Sequence, residues 1–426
     1  MDIKKIVATY NDELIELRRY FHRHPEESGK EDATIAYINE YLKKLNLKTS
    51  EVKDGGLLGI IDSGKPGKTL LLRADVDALA INENSCNLKG PKQCLSEAPG
   101  FSHACGHDCH TAMNMIVGKI LAENKDAWTG KVVLCFERGE ECGGNVRYLL
   151  PYIIKESGLK IDGCYATHVR WDIPVGKVNI QAGPVMAGGL GFSFKIIGKA
   201  GHGSRPDLAN SPIDCFAAIY NNLNATRMRT VSPDEIFTFS LGELHAGTQI
   251  NVIPGELTFS GTSRFFSLAK AGQHFFDTLM SSLKHNCEIY HCQYETLRLL
   301  DPLFEVNNNA CLAELGKQAI AKDLGPDVFY TPTPWMACES FALFLQEFPG
   351  VLSFTGIANP EMGTNANHHT PEFDVDEAGL AVGVSMGVSY ALAFLSSNVD
   401  PKFTPNPEPI EILAAIPSVA IGFMGI

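Results

Sequence analysis

The sequence predicts an α/β protein in which a mostly parallel sheet, with helices on both faces, is interrupted by an inserted α+β domain. Two observations lead to this class. In the first and last thirds of the chain, short uninterrupted apolar runs alternate with amphipathic helical stretches, which is typical of a parallel sheet covered on both sides. In the middle third, apolar and polar positions alternate along stretches rich in Gly, Thr and Phe, which is typical of antiparallel strands. The 426 residues are enough for two domains.

The predicted parallel-sheet domain spans residues 1–183 and 302–400. Apolar residues at helical spacing predict helices in DELIELRRYFHRHP, DATIAYINEYLKKL and TAMNMIVGKILAENK. Buried strands are predicted for KTLLLRAD (68–75), GKVVLCFERGEE and GCYATHV (163–169), the last ending on His168. After residue 302 the helices ACLAELGKQAIAKDL, ESFALFLQEF and EAGLAVGVSMGVSYALAFL accompany the strand GVLSFTGIA.

The inserted domain is predicted at residues 184–301. Its strands are expected in LGFSFKIIGKAGHGS, EIFTFSLGELHAGTQINVI and ELTFSGTSRFF, and its helices in SPIDCFAAIYNNLNATR and LAKAGQHFFDTLMSSLKHN. Strands and helices in this order favour a small ferredoxin-like domain.

Residues 401–426 form a third segment, a Pro-rich linker followed by IEILAAIPSVAIGFMGI. These last seventeen residues are apolar, but they are short for a membrane span and contain Glu411 and Pro417. We therefore expect the tail to dock on the protein or on a neighbouring subunit of a homo-oligomer rather than to anchor it in a membrane.

Charge and cysteine usage narrow the class of partner and the compartment. The net charge is −13 and Lys and Arg form no cluster, which argues against nucleic acid or an anionic membrane as the main partner. The N-terminus, MDIKKIVATYNDELIELRRYFHRH, has no uncharged apolar core of a secretory signal. Twelve scattered cysteines in such a chain are expected to be reduced thiols in the cytoplasm.

Side chains that bind metals stand at or near the predicted strand ends. They occur in RADVDAL (Asp75, Asp77), SHACGHDCHTA, RGEECGG (Glu140, Glu141), at His168, and in NANHHTPEF (His368, His369). In open α/β sheets the carboxyl ends of the strands form the ligand crevice. Alone, SHACGHDCHTA leaves three possibilities: a closed zinc site of His103, Cys105, Cys109 and His110, a redox pair of Cys105 and Cys109, or one edge of a distributed metal site.

Seven motifs, in order, resemble those of one family: RADVDAL, HACGHDCHTAM, GEECGG, HGSRP, AGTQINVIP, GTSRFF and HHTPEFDVDE. Together they are similar to metallopeptidase family 20, subfamily D, over roughly residues 10–395. This subfamily comprises amidohydrolases that include hippurate hydrolases, N-acyl-amino-acid deacylases, plant auxin-conjugate hydrolases and p-aminobenzoyl-glutamate hydrolases.

The resemblance implies two divalent metal ions per chain, held by Cys105 as a bridging thiolate and by His107, Glu141, His168 and His369. Thiolate, imidazole and carboxylate form a borderline-soft donor set that suits Zn, Mn, Co or Ni better than Ca. Asp77 is expected to support catalysis as a carboxylate that orients a ligand. The role of Asp75 stays open.

The resemblance also assigns catalytic and substrate-binding residues. Glu140 is the expected general base, which takes a proton from water and returns it to the leaving amine. His202 is expected to donate to the tetrahedral oxyanion from the inserted domain, so that approach of the two domains would gate turnover. Asn251 and Arg264 match positions near the substrate, and Arg264 is either a partner of a substrate carboxylate or a surface arginine.

The predicted function is hydrolysis of the amide bond of N-acyl or aroyl amino acids to a carboxylic acid and an amino acid. A dipeptidase or carboxypeptidase-like activity and a non-catalytic metal-dependent binding protein are the alternatives. The chain departs from the family pattern at Ala80, Cys109, Arg138-Gly139 and Cys142. Cys109 and Cys142 would either pair under oxidation or simply pack, and simple packing is the more common behaviour of free cysteines.

Overall fold

The computed structural model describes residues 2–143, 145–300 and 302–405, which form two compact units. The first unit contains the described residues up to Val185, together with Asn307–Thr333 and Leu343–Pro405; the second contains Met186–Val306 and Pro334–Ala342. The apolar tail from residue 406 lies outside the described residues.

The segment Pro334–Ala342 groups with the second unit, whereas the sequence analysis placed it in the first domain. Backbone pairing explains the difference. The Ala187 N–H donates to the Trp335 carbonyl at 2.9 Å, and Met186 and Trp335 form a β-bridge beside it. Such pairing between residues 149 positions apart in the chain (335 − 186) leaves no mark in local periodicity.

The described residues form the following helices and strands. The helices are α1 Ile3–Thr9, α2 Asn11–Arg23, α3 Asp32–Lys44, α4 His107–Glu123, α5 Val146–Pro151, α6 Pro212–Arg229, α7 Gln273–Ile289, α8 Ala310–Leu324, α9 Phe341–Glu347 and α10 Ala378–Ser396. The strands are β1 Lys48–Val52, β2 Gly56–Asp62, β3 Thr69–Asp75, β4 Lys131–Glu137, β5 Gly163–Pro174, β6 Val178–Asn179, β7 Gly183–Met186, β8 Gly188–Ile197, β9 Gly201–His202, β10 Phe237–Ala246, β11 Val252–Ile253, β12 Glu256–Phe265, β13 Gln293–Leu299, β14 Val306–Asn308 and β15 Gly350–Ala358.

The first unit is built on a seven-stranded sheet in the order β1-β2-β4-β3-β5-β15-β6. Its centre, β4-β3-β5-β15, is parallel, and antiparallel strands complete both edges. All residues of β3 and β15 are buried, because helices cover both faces of a parallel sheet. The predicted fold class is confirmed, although β1 and β2 were absent from the sequence prediction.

Helices α2, α4 and α10 supply much of the core that packs on this sheet. Among the described residues α10 is the one helix long and apolar enough to cross a membrane, but 72% of its apolar stretch is buried inside the protein. Its apolar surface is therefore accounted for by the core.

The second unit has a four-stranded antiparallel sheet in the order β10-β12-β8-β13. Helices α6 and α7 follow β8 and β12 in the chain, so the unit has the βαββαβ order expected of a ferredoxin-like domain. Its core is rich in phenylalanine, with Phe194, Phe259 and Phe275 fully buried. β13 was not predicted from the sequence; it is an edge strand whose side chains are mostly exposed.

Helix α4 begins immediately after Gly106, which adopts a left-handed conformation with φ of 86°. A Cβ atom at this position would lie 2.4 Å from Cγ2 of Val169 on β5. The turn that leads from Cys105 into α4 thus requires glycine both for its backbone angle and for its contact with the sheet.

We predict that Gly106→Ala destabilises the protein by about 1–2 kcal/mol for the left-handed conformation and by about 1–3 kcal/mol more for the clash with Val169. Gly100→Ala is the matched control, since Gly100 has φ of 90° with open space around its Cα. Urea unfolding of both variants measures the difference. Equal losses for the two would show that the approach to Val169 does not constrain the turn.

Candidate metal centre

The candidate centre lies where β3 ends and its neighbour β5 continues. β3 pairs with β5 as far as Arg73 and Ala166, whereas β5 runs on to Pro174. The predicted end of this strand at His168 is wrong, because pairing with β15 carries β5 onward. His168 therefore lies in a strand that has lost its β3 partner, next to the residues that follow β3 and precede α4.

The structure brings all five predicted ligands together. Cys105 Sγ lies 3.7 Å from Nε2 of His168, and Oε1 of Glu141 lies 3.9 Å from Nε2 of His107 and 3.1 Å from Nε2 of His369. Donor atoms of Cys105, His107 and His168 lie within 4.8 Å of one another, as do those of Cys105, Glu141 and His369. The two groups share Cys105, as a bridging thiolate requires.

Hydrogen bonds orient the ligand side chains. His107 donates from Nδ1 to Asp77 Oδ1 at 2.9 Å, and His168 donates from Nδ1 to the Val169 carbonyl at 2.6 Å. Both rings thus turn Nε2 toward the cluster. His369 adopts a left-handed φ of 61°, and its N–H donates to the Ala104 carbonyl at 2.9 Å, one residue before Cys105.

Asp75, whose role the sequence left open, is bound by two side chains beside the cluster. It accepts from Arg73 Nη1 at 2.7 Å and from His110 Nδ1 at 2.6 Å. His110 Nε2 in turn accepts the N–H of Val169 at 2.9 Å. Asp75 and His110 lie near His107, but both ring nitrogens of His110 are engaged within the protein. Asp75 and His110 therefore support the cluster from beside it.

These contacts exclude the closed zinc site of His103, Cys105, Cys109 and His110. His110 has no ring nitrogen left for a metal ion, and Cys109 is fully buried in the hydrophobic core. Cys105 precedes α4, so it does not share a helix face with Cys109. All twelve cysteines lie in the described part of the chain and are free thiols, including Cys142. The distributed site is the arrangement that remains.

The electrostatics of the cluster fit a cation. Burial raises the pKa of the Cys105 thiol well above its usual value, and the Glu141 carboxylate adds to this effect. Burial opposes protonation of His107, but Asp75 and Cys105, together with Asp77, raise its pKa well above the usual value. Oε1 of Glu141 is buried and accepts no hydrogen bond from the described residues. Thiol, imidazole and carboxylate donors of this kind fit a divalent, borderline-soft ion that would keep Cys105 ionised.

Glu140 lies in the turn after β4, half-buried, and its carboxylate is within 4.8 Å of the donor atoms of His107 and Glu141. It is therefore a second carboxylate at the cluster, beside the predicted ligand. A group in this place is positioned to exchange a proton with water at the site.

Two of the three predicted residues of the second unit lie together. His202 on β9 pairs with Val252 on β11, and the Gly203 N–H donates to the Asn251 carbonyl at 2.8 Å. Both His202 and Asn251 are exposed. Arg264 lies on β12, where its guanidinium donates to Thr262 Oγ1 and to the Ser263 carbonyl. These bonds hold the arginine against its own strand.

Two further buried acids lie near the cluster, and one of them, Glu31, was not predicted from the sequence. Asp108, next to His107, binds Arg18 at 3.0 Å and His22 at 2.8 Å. Glu31 is fully buried; burial and the nearby Asp77 raise its pKa to about 7, against the opposing effects of Gly29 N–H and Arg138. The segment PEESGKEDAT around Glu31 resembles an ordinary turn before a helix. Only the folded chain brings it to the cluster.

Comparison with known proteins identifies the family of the chain. Residues 71–393 match the peptidase family M20/M25/M40. The chain belongs to this family. The resemblance inferred from the seven motifs is thus confirmed, and so is the expectation that the protein is a hydrolase.

Several M20 relatives match nearly the whole chain. Thermostable carboxypeptidase 2 of Saccharolobus solfataricus is 32% identical over 403 residues, covering 92% of this chain and 98% of the relative. N-acetyl-L-cysteine deacetylase of Bacillus subtilis is 30% identical over 411 residues, covering 93% and 92%. IAA-amino acid hydrolase ILR1-like 4 of Arabidopsis thaliana is 29% identical over 389 residues, covering 90% and 86%.

A solved structure supports the same placement. The Bacillus subtilis YXEP protein, a dinuclear metal binding peptidase from the M20 family, superimposes with a TM-score of 0.76 at 27% identity, covering 91% of this chain and 99% of that one. The candidate cluster and this likeness together support metal binding by the M20 chain.

We predict that Asp77→Ala lowers metal affinity about 10–100-fold, because His107 loses the acceptor that turns Nε2 toward the cluster. Asp62→Ala is the control, since Asp62 is an exposed aspartate whose ion pair with Lys131 lies at the far end of β2. Competition with a chromogenic chelator measures the affinity for Zn²⁺ or Co²⁺. Unchanged affinity in Asp77→Ala would mean that Asp77 does not orient a ligand.

Proposed function

We propose that this protein hydrolyses the amide bond of N-acyl or aroyl amino acids, releasing a carboxylic acid and an amino acid. The observation that carries the proposal is the position of Glu140, a carboxylate beside the ligand cluster in addition to Glu141. A site that only held metal or bound a ligand would not need this second acid. The names of two M20 relatives, an N-acetyl-L-cysteine deacetylase and an IAA-amino acid hydrolase, support the substrate class.

In the proposed mechanism the side chains of the protein carry out the proton transfers. Cys105, His107, Glu141, His168 and His369 would hold the divalent cations, which when bound would acidify water and polarise the scissile carbonyl. Glu140 accepts the proton of the attacking water and delivers it to the amide nitrogen, which is a poor leaving group until it is protonated. His202 is the proposed donor to the oxyanion that develops on the carbonyl oxygen. Asn251 and Arg264 are the proposed substrate contacts, and Arg264 is the proposed partner of the substrate carboxylate.

The identity of the metal ions and the cellular compartment belong to the same proposal. The donor set supports two ions drawn from Zn, Mn, Co or Ni, since a thiolate and three imidazoles favour these over Ca or Mg. The twelve free thiols support a reducing compartment such as the cytoplasm. A homo-oligomer and the absence of nucleic acid and membrane partners remain predictions of the sequence.

A carboxypeptidase or dipeptidase activity is the second candidate, favoured by the 32% identity to a thermostable carboxypeptidase. The two activities differ in whether the acyl side of the substrate carries a free amine. A protonated amine needs an acidic partner, and Glu140 and Glu141 are already assigned to the water and the metal.

We predict that Glu140→Gln keeps both metal ions but lowers kcat by about 10²–10⁴-fold, because the amide cannot accept the proton of water. Metal content by mass spectrometry and turnover of an N-acetyl amino acid are measured on the same preparation. Glu51→Gln, an exposed change on β1, is the control. Cys105→Ala should lose both ions, whereas a Glu140→Gln variant with normal turnover would refute the assigned base.

Substrate preference separates the two candidate activities. The M20 enzyme should be assayed with N-acetyl, N-benzoyl, long-chain acyl and p-aminobenzoyl amino acids and with unblocked dipeptides, each with Mn²⁺, Co²⁺ or Zn²⁺ added. We expect kcat/KM for at least one blocked amino acid to exceed that for every dipeptide by more than about tenfold, the loss that one unpaired buried charge or polar group produces. The reverse order would establish the peptidase.

A further inference from the structure

Three oxygen atoms of other segments accept hydrogen bonds from the turn that bears the two acids. We call Gly139–Cys142 the acid turn. Its Gly139 N–H donates to Glu31 Oε1 at 3.0 Å, and its Glu141 N–H donates to Asp77 Oδ2 at 2.9 Å. The Cys142 N–H donates to Ser28 Oγ at 3.0 Å. Backbone N–H groups in such a place need acceptors, so these three oxygens determine which conformation of the turn is stable.

Two of the three acceptors come from one short segment, Ser28–Glu31, which precedes α3. Ser28 Oγ also donates to Asp77 Oδ2 at 2.7 Å, so one hydroxyl joins the acid turn to the carboxylate that orients His107. The segment is fixed in turn to the residue after Asp77: the Ser28 N–H donates to the Ala78 carbonyl at 3.1 Å. The acceptors therefore have little freedom to move away from the turn.

The other oxygen of Glu31 lies near Arg138, a buried arginine that follows β4. Arg138 Nε lies 3.2 Å from Glu31 Oε2, and Arg138 Nη2 binds Asp32. Arg138 and Gly139 are two of the positions where this chain departs from the family pattern. Gly139 has φ of 66°, and a Cβ there would lie 2.6 Å from Asn145 Cγ, so the turn enters its left-handed conformation at the residue that Glu31 binds.

From this geometry we propose that Ser28 and Glu31 are positioning residues: their oxygens fix the acid turn so that the carboxylates of Glu140 and Glu141 are set for catalysis. The inference deepens the proposed function and rests on it for its kinetic consequence. Neither Ser28 nor Glu31 belongs to a candidate ligand group, and both act through the backbone of Gly139 and Cys142. A small displacement of a catalytic group is enough to cost about 10²-fold in rate.

The first test uses Ser28, because its replacement by alanine leaves the core intact. In Ser28→Ala we expect kcat to fall about 10–100-fold, with KM within about twofold and both metal ions retained. Ser28→Thr retains the hydroxyl and should recover most of the lost kcat. Ser232→Ala, an exposed serine of the second unit that binds Asp234, is the control and should match the unchanged protein.

The second test separates the hydrogen bond of Glu31 from its charge. Glu31→Gln keeps an oxygen for the Gly139 N–H, so its kcat should stay within about threefold of the parent, whereas Glu31→Met should fall at least as far as Ser28→Ala. Glu27→Met makes the same change four positions away, at a side chain that is 42% exposed and pairs with Lys30. If Glu31→Met does not fold, the Ser28 variants decide the question.

Co²⁺ spectra provide a readout independent of substrate. The visible absorption of the Co²⁺-loaded protein depends on the placement of Glu141, so Ser28→Ala should change the spectrum and Ser232→Ala should not. If the parent hydrolyses no blocked amino acid but the spectrum shifts in Ser28→Ala, the positioning role stands and the proposed function fails. Unchanged kcat and an unchanged spectrum in Ser28→Ala overturn the positioning role.

Discussion

The carboxylate of Asp77 is the interaction on which the rest of the centre depends. It accepts from the ring of His107 through one oxygen, and from the N–H of Glu141 and the hydroxyl of Ser28 through the other. One side chain thus joins the end of β3, the start of α4, the acid turn and the segment Ser28–Glu31. Burial disfavours its charge, but the hydrogen bond from His107 prevails and lowers its pKa. An acceptor that serves three donors at once allows little movement of any of them.

The two buried acids that end β3 and β4 share one arginine partner. Arg73 donates to Glu137 Oε2 and to Asp75 Oδ2, both at 2.7 Å, so the acids that end β3 and β4 have a positive partner inside the sheet. A buried carboxylate without such a partner would be strongly destabilising. Arg73 binds both acids and His110 donates to Asp75, so these two carboxylates are engaged within the protein, whereas those of the acid turn lie with the predicted ligands Cys105, His107 and His369.

The parts of the centre that could be predicted from sequence are those with a local signature. The strand predicted for KTLLLRAD ends at Asp75 as expected, whereas the strand in GKVVLCFERGEE ends at Glu137 and leaves Glu140 and Glu141 in the turn that follows. The ligand types in HACGHD and GEE indicate a borderline-soft metal. What could not be predicted depends on contacts between distant segments. Nothing local distinguishes His110, engaged by Asp75 and Val169, from a metal ligand, and nothing in PEESGKEDAT shows that Glu31 reaches Gly139. β13 was missed because an exposed edge strand lacks the apolar alternation that indicates a strand.

Four of the residues by which this chain departs from its family pattern fall into two kinds. Cys109 is fully buried in the first turn of α4, where its side chain adds to the core, so it is neither a ligand nor a partner for Cys142. Cys142, Gly139 and Arg138 all belong to the acid turn or its supports: Cys142 Sγ donates to the Gly139 carbonyl at 3.3 Å, and Arg138 pairs with Glu31. The departures at Arg138, Gly139 and Cys142 therefore lie where the backbone that bears the two acids is held, whereas the five predicted ligand positions keep the residue types of the family pattern.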